Sequence, residues 1–331
     1  MTHRVIDLAD DLAESLLFPA ATATDAADIV PRSHLDALAD AGLYGLAGPE
    51  AYGGMGVDLM TASNVRERLA AGCLTTTFVW VQHTTPVLEL TRSGNAPLRE
   101  EWLADLCAGR LRAGIALGGL HQGFAGLKAE AVEGGWLVTG TAPYVTGWGL
   151  LDVILVAALT PDGRAVRGLI DAVETPVVTA QPLRLLAANA SRTVRLQLKS
   201  VFLPSERVTS IEPYTPPPAW DGGDRPNGSL ALGVTRRCLR LLGPSALDGE
   251  LEACRRRLDE AGEREMAEAR AAAAELAVRA ASALIVAQGS RSIFAGEHAE
   301  RLYREAAFLL VFGSRTAIKS SLLRQLRATK P

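Results

Sequence analysis

Cysteine and histidine are the side chains best suited to hold a metal, and their spacing here argues against one. Cys73, Cys107, Cys238 and Cys254 form no Cys-x-x-Cys pair, and His3, His34, His83, His121 and His298 are scattered along the chain. No structural zinc site is expected from such a pattern. Arg255, Arg256 and Arg257 make a basic run, which on a helix is ordinarily a solvated face. Tyr144 and Thr146 lie in a β-patterned segment. Taken alone they are an ordinary strand aromatic and an edge-strand hydroxyl, since both types favour strands.

The elements that must position these residues fall into three zones. Residues 1–110 read as helices: 35–46 and 58–72 carry apolar residues at helical spacing, Asp58 is a candidate cap, and 99–110 ends at Gly109. Pro86 inside 75–94 predicts a helix that is interrupted or begins late. The period changes over 111–211. There Val194, Leu196 and Leu198 alternate with Arg195, Gln197 and Lys199, and Gly134-Gly135 and Pro161-Asp162-Gly163 mark hairpin turns. At least five strands are expected, as a small barrel or sandwich. Residues 212–228 are rich in Pro and Gly and read as a linker, and 229–331 returns to helices, including an alanine-rich one at 263–289. The fold class expected is α+β: a helical domain, a central β-domain and a helical bundle.

Composition narrows the functions available. The 331 residues carry 34 Lys plus Arg against 37 Asp plus Glu, a net charge of -3. That leaves no cationic excess for a phosphate backbone, so nucleic-acid binding is disfavoured. With 48% hydrophobic and 21% charged residues, the chain has a globular composition. Its first residues, MTHRVIDLADDLAESLL, lack the basic and apolar regions of a signal peptide, and its apolar runs are short and interrupted. A cytoplasmic protein with reduced thiols and no membrane span is expected.

Several segments, in order, resemble the acyl-CoA dehydrogenase family over nearly the whole chain. LADAGLYGLAGPEAYGGMGVD (38–58) is similar to a leader segment of that family, and LRAGIALGGL (111–120) sits where the family enters its flavin-binding loop. GGWLVTGTAPYVTGWGLLDVILVAA (134–158) carries an aromatic-x-Thr element, Tyr144-Val145-Thr146, and NASRTVRLQLKSVFLPSERV (189–208) matches the β-domain exit. AERLYRE (299–305), in the closing helix pair, is the most specific single string. The resemblance implies an FAD flavoprotein that oxidises the α–β carbon bond of an acyl thioester, as a homo- or hetero-oligomer. A flavin needs an apolar slot, hydrogen-bond donors and a pyrophosphate cradle. The roles implied are flavin contact by Leu117, Gly118, Tyr144, Thr146, Ser191 and Gln288, and substrate contact by Arg225 and Gly313.

The chain also departs from the family's pattern. The hydroxyl-rich acid loop is replaced by Leu117-Gly118-Gly119-Leu120-His121-Gln122-Gly123-Phe124. The family's proton abstraction needs a carboxylate over the substrate, but aligned on Arg301-Leu302-Tyr303-Arg304 its usual position falls on Gly313. Some members place the base at the start of the C-terminal domain, where Asp224 is the close candidate; an Asp before a helix is also a common cap. The hairpin that usually supplies an Arg and a Phe-Gly to a neighbouring subunit's FAD is cut to GPSALDGE (243–250), and the Gln-x-x-Gly-Gly element is reduced to Val286-Ala287-Gln288-Gly289-Ser290. Three readings stay open: an acyl-thioester oxidoreductase, a flavin monooxygenase on the same fold, and a non-catalytic subunit that completes a partner's FAD site. Fold alone does not choose among them.

Overall fold

The computed structural model describes residues 2–118, 126–215 and 224–327. Gly119, His121, Gln122 and residues 216–223 of the expected linker lie outside the described residues. The N-terminal domain comprises α1 (Thr2–Leu12), α2 (Ala21–Ala26), α3 (Arg32–Asp40), α4 (Leu59–Gly72), α5 (Leu74–Val81), α6 (Thr84–Arg92) and α7 (Ala96–Ala108). Asp58 caps α4 by accepting the Thr61 N–H at 2.7 Å, and Asn95 caps α7 through the Leu98 N–H. The break between α5 and α6 puts Pro86 in the first turn of α6, the one place where a missing N–H costs a helix nothing.

Strands β1 (Ala113–Ala116), β2 (Leu127–Val132), β3 (Gly135–Val145), β4 (Val153–Leu159), β5 (Arg164–Asp171), β6 (Val178–Pro182), β7 (Val194–Pro204) and β8 (Val208–Pro213) form one sheet. Its order is β6-β7-β3-β2-β4-β5-β8, with β1 parallel to β4. Val138, Val156, Val166 and Leu196 share the inner core. The other face of β4 offers Val153 and Leu155 to Val87, Leu90 and Leu106 of α6 and α7. Burial on both faces explains the unbroken apolar run of β4.

The bundle comprises α8 (Asp224–Leu242), α9 (Ala246–Glu260), α10 (Met266–Gln288), α11 (His298–Leu309) and α12 (Thr316–Arg327). Here the linker expected over 212–228 is corrected at both ends. β8 runs to Pro213, and α8 begins at Asp224. Pro226 is tolerated in a first turn, and Gly228 is buried where a Cβ would meet the Leu258 side chain at 2.8 Å. By length and composition alone Met266–Ile293 is apolar enough to cross a membrane, contrary to the sequence expectation. In the fold Ala269, Ala273, Ala277 and Ala280 of this helix are buried in the bundle core. Arginines of the bundle stitch it to the N-terminal domain: Arg255 to Glu67 at 2.6 Å, Arg237 and Arg240 to Glu14, and Arg304 to Asp25.

His83 ties the domains together where α5 meets α6. Its ring is buried; Nδ1 accepts the Ala113 N–H at 3.0 Å and Nε2 lies 2.9 Å from the Leu106 carbonyl. Both contacts hold the neutral imidazole, and burial pushes its pKa down to about 4. The unfolded chain binds a proton near pH 6.5, whereas the folded chain does not until about pH 4. Stability from this group is therefore complete above pH 6.5 and lost as pH falls towards 4, a loss on the order of 3 kcal/mol. Urea titrations at pH 7.5 and 4.5 should show a lower midpoint at the acid pH, and His83→Gln should flatten the difference.

Candidate functional site

A cavity of about 1180 Å³ lies where the three domains meet. Its helical wall is built by residues at helical spacing: Leu59, Ala62 and Arg66 of α4, Thr84, Thr85 and Leu88 of α6, and Pro226, Asn227 and Leu230 of α8. Phe78 of α5 joins Phe308 and Phe312 in an aromatic cluster, with ring centroids 5.5 and 5.0 Å from Phe78. The run Phe308–Phe312 is therefore mostly bundle core and cavity wall, with Val311 left exposed.

The opposite wall comes from the sheet. Leu117 and Gly118 follow β1, Tyr144 ends β3, Thr146 lies just beyond it, and Thr193 precedes β7. Thr146 and Thr193 hydroxyls are 3.0 Å apart, and Ser191 Oγ is 2.9 Å from Thr193 Oγ1. This is a buried chain of three hydroxyls that reaches the cavity at Thr146 and Thr193. When Ser191 donates to Thr193 and Thr193 to Thr146, the last proton is offered into the cavity.

Leu117, Gly118, Tyr144, Thr146 and Gly313 are thus brought to one cavity, and the other sequence candidates are not. Ser191 stands behind Thr193, with no exposed surface. Gln288 is exposed at the end of α10, away from the cavity. Arg225 is buried in the bundle, donating to Asp259 at 2.7 Å and to Ser229 at 2.7 Å. Asp224 is also buried, and its carboxylate lies 2.7 Å from Arg315 Nη2, with Arg270 of α10 as a second charged neighbour. No carboxylate lines the cavity among the described residues.

The charged residues of the lining are Arg66, Arg92 and Arg184. Arg92 and Arg184 are exposed at the rim, whereas Arg66 is 7% exposed. Burial, with Arg225 as a like charge nearby, lowers Arg66 to about 10, so it stays cationic at neutral pH. Sequence reading missed Arg66 because nothing in the string Val65-Arg66-Glu67-Arg68 separates a cavity residue from a surface one.

Comparisons with known proteins agree with this geometry. The family model of the acyl-CoA dehydrogenase N-terminal domain matches residues 2–110. The chain is 26% identical over 209 residues to a mitochondrial isovaleryl-CoA dehydrogenase of Arabidopsis thaliana, covering 60% of this chain and 51% of the relative. It thus spans about half the length of the curated relatives it matches. The fold superposes on butyryl-CoA dehydrogenase from Megasphaera elsdenii with a TM-score of 0.83 at 19% identity, covering 97% of this chain and 96% of the other. A glutaryl-CoA dehydrogenase of Mycobacterium smegmatis, solved with FADH2, gives 0.80 at 18% identity, covering 100% and 95%. The fold class is helical–β–helical, as in these solved structures. Residues 2–110 of this chain match the acyl-CoA dehydrogenase N-terminal domain, and the whole chain shares the fold of these solved dehydrogenases.

Proposed function

We propose that this chain binds FAD and an acyl thioester in the junction cavity and acts as a flavin-dependent oxidoreductase on the acyl group. The observation that carries this reading is the cavity's division into two unlike walls. One wall has Tyr144, the Leu117–Gly118 backbone and the Thr146 hydroxyl; the other has an apolar stretch of Ala62, Phe78, Leu230 and Phe312 beside the polar Arg66, Thr84 and Asn227. The first suits a flat ring edged by hydrogen-bond acceptors, and the second suits an acyl chain. When bound, the flavin supplies the hydride acceptor. The chain's own residues do the rest: Tyr144 flanks the ring, the hydroxyl chain through Thr193 and Ser191 orients Thr146, and the helical wall excludes water from the acyl chain. Gln288 does not join this site, so the adenine half of FAD is proposed to lean on a second subunit. Exposed Val286, Ile293 and Phe294 beside the end of α10 fit such an oligomer. The four cysteines, free and buried, fit the reducing cytoplasm proposed for it.

A second reading is favoured by one feature, the buried Asp224–Arg315 pair. It removes the nearest base candidate and suits a chain that uses flavin without α-proton abstraction or that completes a partner's site. The deciding experiment is the visible spectrum of the protein purified alone, with flavin quantified after denaturation. Anaerobic bleaching of the bound flavin by acyl-CoA then follows. Stoichiometric FAD that bleaches supports the oxidoreductase. A colourless, folded protein that takes up no FAD overturns it and directs attention to a co-expressed partner. Because Asp224 is turned away from the cavity, Asp224→Asn should slow bleaching by less than about tenfold, short of the 10²–10⁴ that a general base supplies. A loss in that larger range would restore Asp224 as the base.

A further inference from the structure

Buried arginines in this chain are generally matched to a carboxylate: Arg225 to Asp259, Arg237 to Glu14, Arg301 to Glu305 and Arg112 to Asp36. Arg270 makes no such ion pair among the described residues but has Asp224 as a charged neighbour, whereas Arg66 departs from the rule altogether. Its Nη2 donates to Thr84 Oγ1 at 3.2 Å, and its Nε and Nη1 make no hydrogen bond. Glu67, next in sequence, is taken by Arg255 at 2.6 Å, and Arg225 adds a like charge. A buried cation without a counter-ion is costly, and proteins normally pair it. Here Arg66 instead lines a cavity whose described walls hold no carboxylate, with Nη2 shared with Thr84 and Nε and Nη1 below the surface.

We propose that Arg66 is a specificity residue that selects acyl thioesters whose acyl chain ends in a carboxylate. This rests on the thioester reading above and names its substrate class. The anion that Arg66 lacks is then brought by the ligand, whose carboxylate accepts a charge-assisted hydrogen bond from the guanidinium beside Thr84. Thr84, whose oxygen accepts from Arg66, keeps its own O–H to give to the second carboxylate oxygen. The surroundings favour a small anion at the end of a chain over a phosphate group. Arg66 shares its wall with buried Ala62, Phe78 and Leu230, whereas exposed Arg92 and Arg184 stand at the rim, where bulky phosphates would remain hydrated.

The test is calorimetric titration of the purified protein with glutaryl-CoA and pentanoyl-CoA, which share a five-carbon acyl chain and differ in its end. Wild type should bind glutaryl-CoA about 10- to 100-fold tighter, as expected for hydrogen bonds to a charged group. Arg66→Met should abolish the preference and Arg66→Lys keep part of it. Equal binding of the two thioesters by wild type, or a preference that survives Arg66→Met, overturns the proposal. Should Arg66→Met fail to fold, the wild-type ligand pair and Arg66→Lys still decide. Should neither thioester bind, the thioester reading falls, and free glutarate takes over as the probe. A rise in thermal midpoint with glutarate but not pentanoate, lost in Arg66→Met and weakened in Arg66→Lys, keeps the anion site; no Arg66-dependent effect of glutarate overturns it.

Discussion

Glu305→Ala should destabilise the protein by about 3–5 kcal/mol, because it leaves a buried cation without its anion. Arg301 Nη1 and Glu305 Oε1 are 2.5 Å apart on α11, with side chains 1% and 0% exposed. Burial pushes the Glu305 carboxyl up, and the Arg301 guanidinium beside it pulls it back down. Removing the carboxylate keeps the cost of burying Arg301 and discards what offsets it. Glu305→Gln, which keeps an oxygen to accept from Arg301, should lose less. The double variant Arg301→Met/Glu305→Leu removes both charges and should recover most of the stability, since replacing a whole buried pair by apolar residues is often neutral or better. Urea midpoints of the four proteins compare the broken pair with the replaced one. A double variant as unstable as Glu305→Ala would show that the loss is of packing rather than of charge.

The same pair explains why AERLYRE was the most recognisable string in the sequence. Arg301 with Glu305, and Glu300 with Arg304, are both spaced i,i+4, and Arg304 also reaches Asp25 of the N-terminal domain. Each charged letter has an assigned partner, so the string cannot drift freely. Other legible features were local too: the Asp58 cap, the α5–α6 break and the two hairpins. Strands β6 and β8 were missed, and β5 was implied only by the hairpin turn that precedes it. β6 and β8 are the ends of the sheet order, with much of their surface exposed, so they lack the alternation that marked β7.

The site was legible where it is made of short strand segments and illegible where it depends on helix rotation. Tyr144 and Thr146 were singled out by resemblance to the family's aromatic-x-Thr element, and both line the cavity, two residues apart at the end of β3. Asp224 and Arg225 were placed near the substrate by resemblance to members that set the base at the start of the C-terminal domain, and Pro226 and Asn227, which follow them, do line the cavity. But each helical residue turns about 100°. Residues 226, 227 and 230 face the cavity, while Asp224 and Arg225 turn to Arg315 and Asp259 inside the bundle. Arg66 was invisible for the complementary reason. Its partner, Thr84, and its lack of an anion are facts about other helices.

Those helices are held in place by a close crossing, and Gly233 is where it can be broken. Gly233 of α8 faces α4, and a Cβ there would lie 2.6 Å from the Glu67 carbonyl oxygen, 2.7 Å from Ala70 Cβ and 3.0 Å from the Ala71 amide nitrogen. Two of these three atoms are backbone, so no side-chain rotation relieves the clash. Gly233→Leu gains about 1 kcal/mol of helix propensity. Forcing methylenes into a packed contact typically costs 1–3 kcal/mol, more against rigid neighbours, so a net loss of about 2 kcal/mol or more is expected. Gly249 of α9 meets no atom within 4 Å at the same test. Gly249→Ala should therefore stabilise by about 0.5–1 kcal/mol, the opposite sign for the smaller substitution. The Gly233 variant should also loosen the cavity, since spreading α4 from α8 separates Arg66 from Leu230 across it. Glutaryl-CoA affinity should fall together with the thermal midpoint. A variant that melts early but binds normally would show that the crossing supports the bundle alone and not the cavity built upon it.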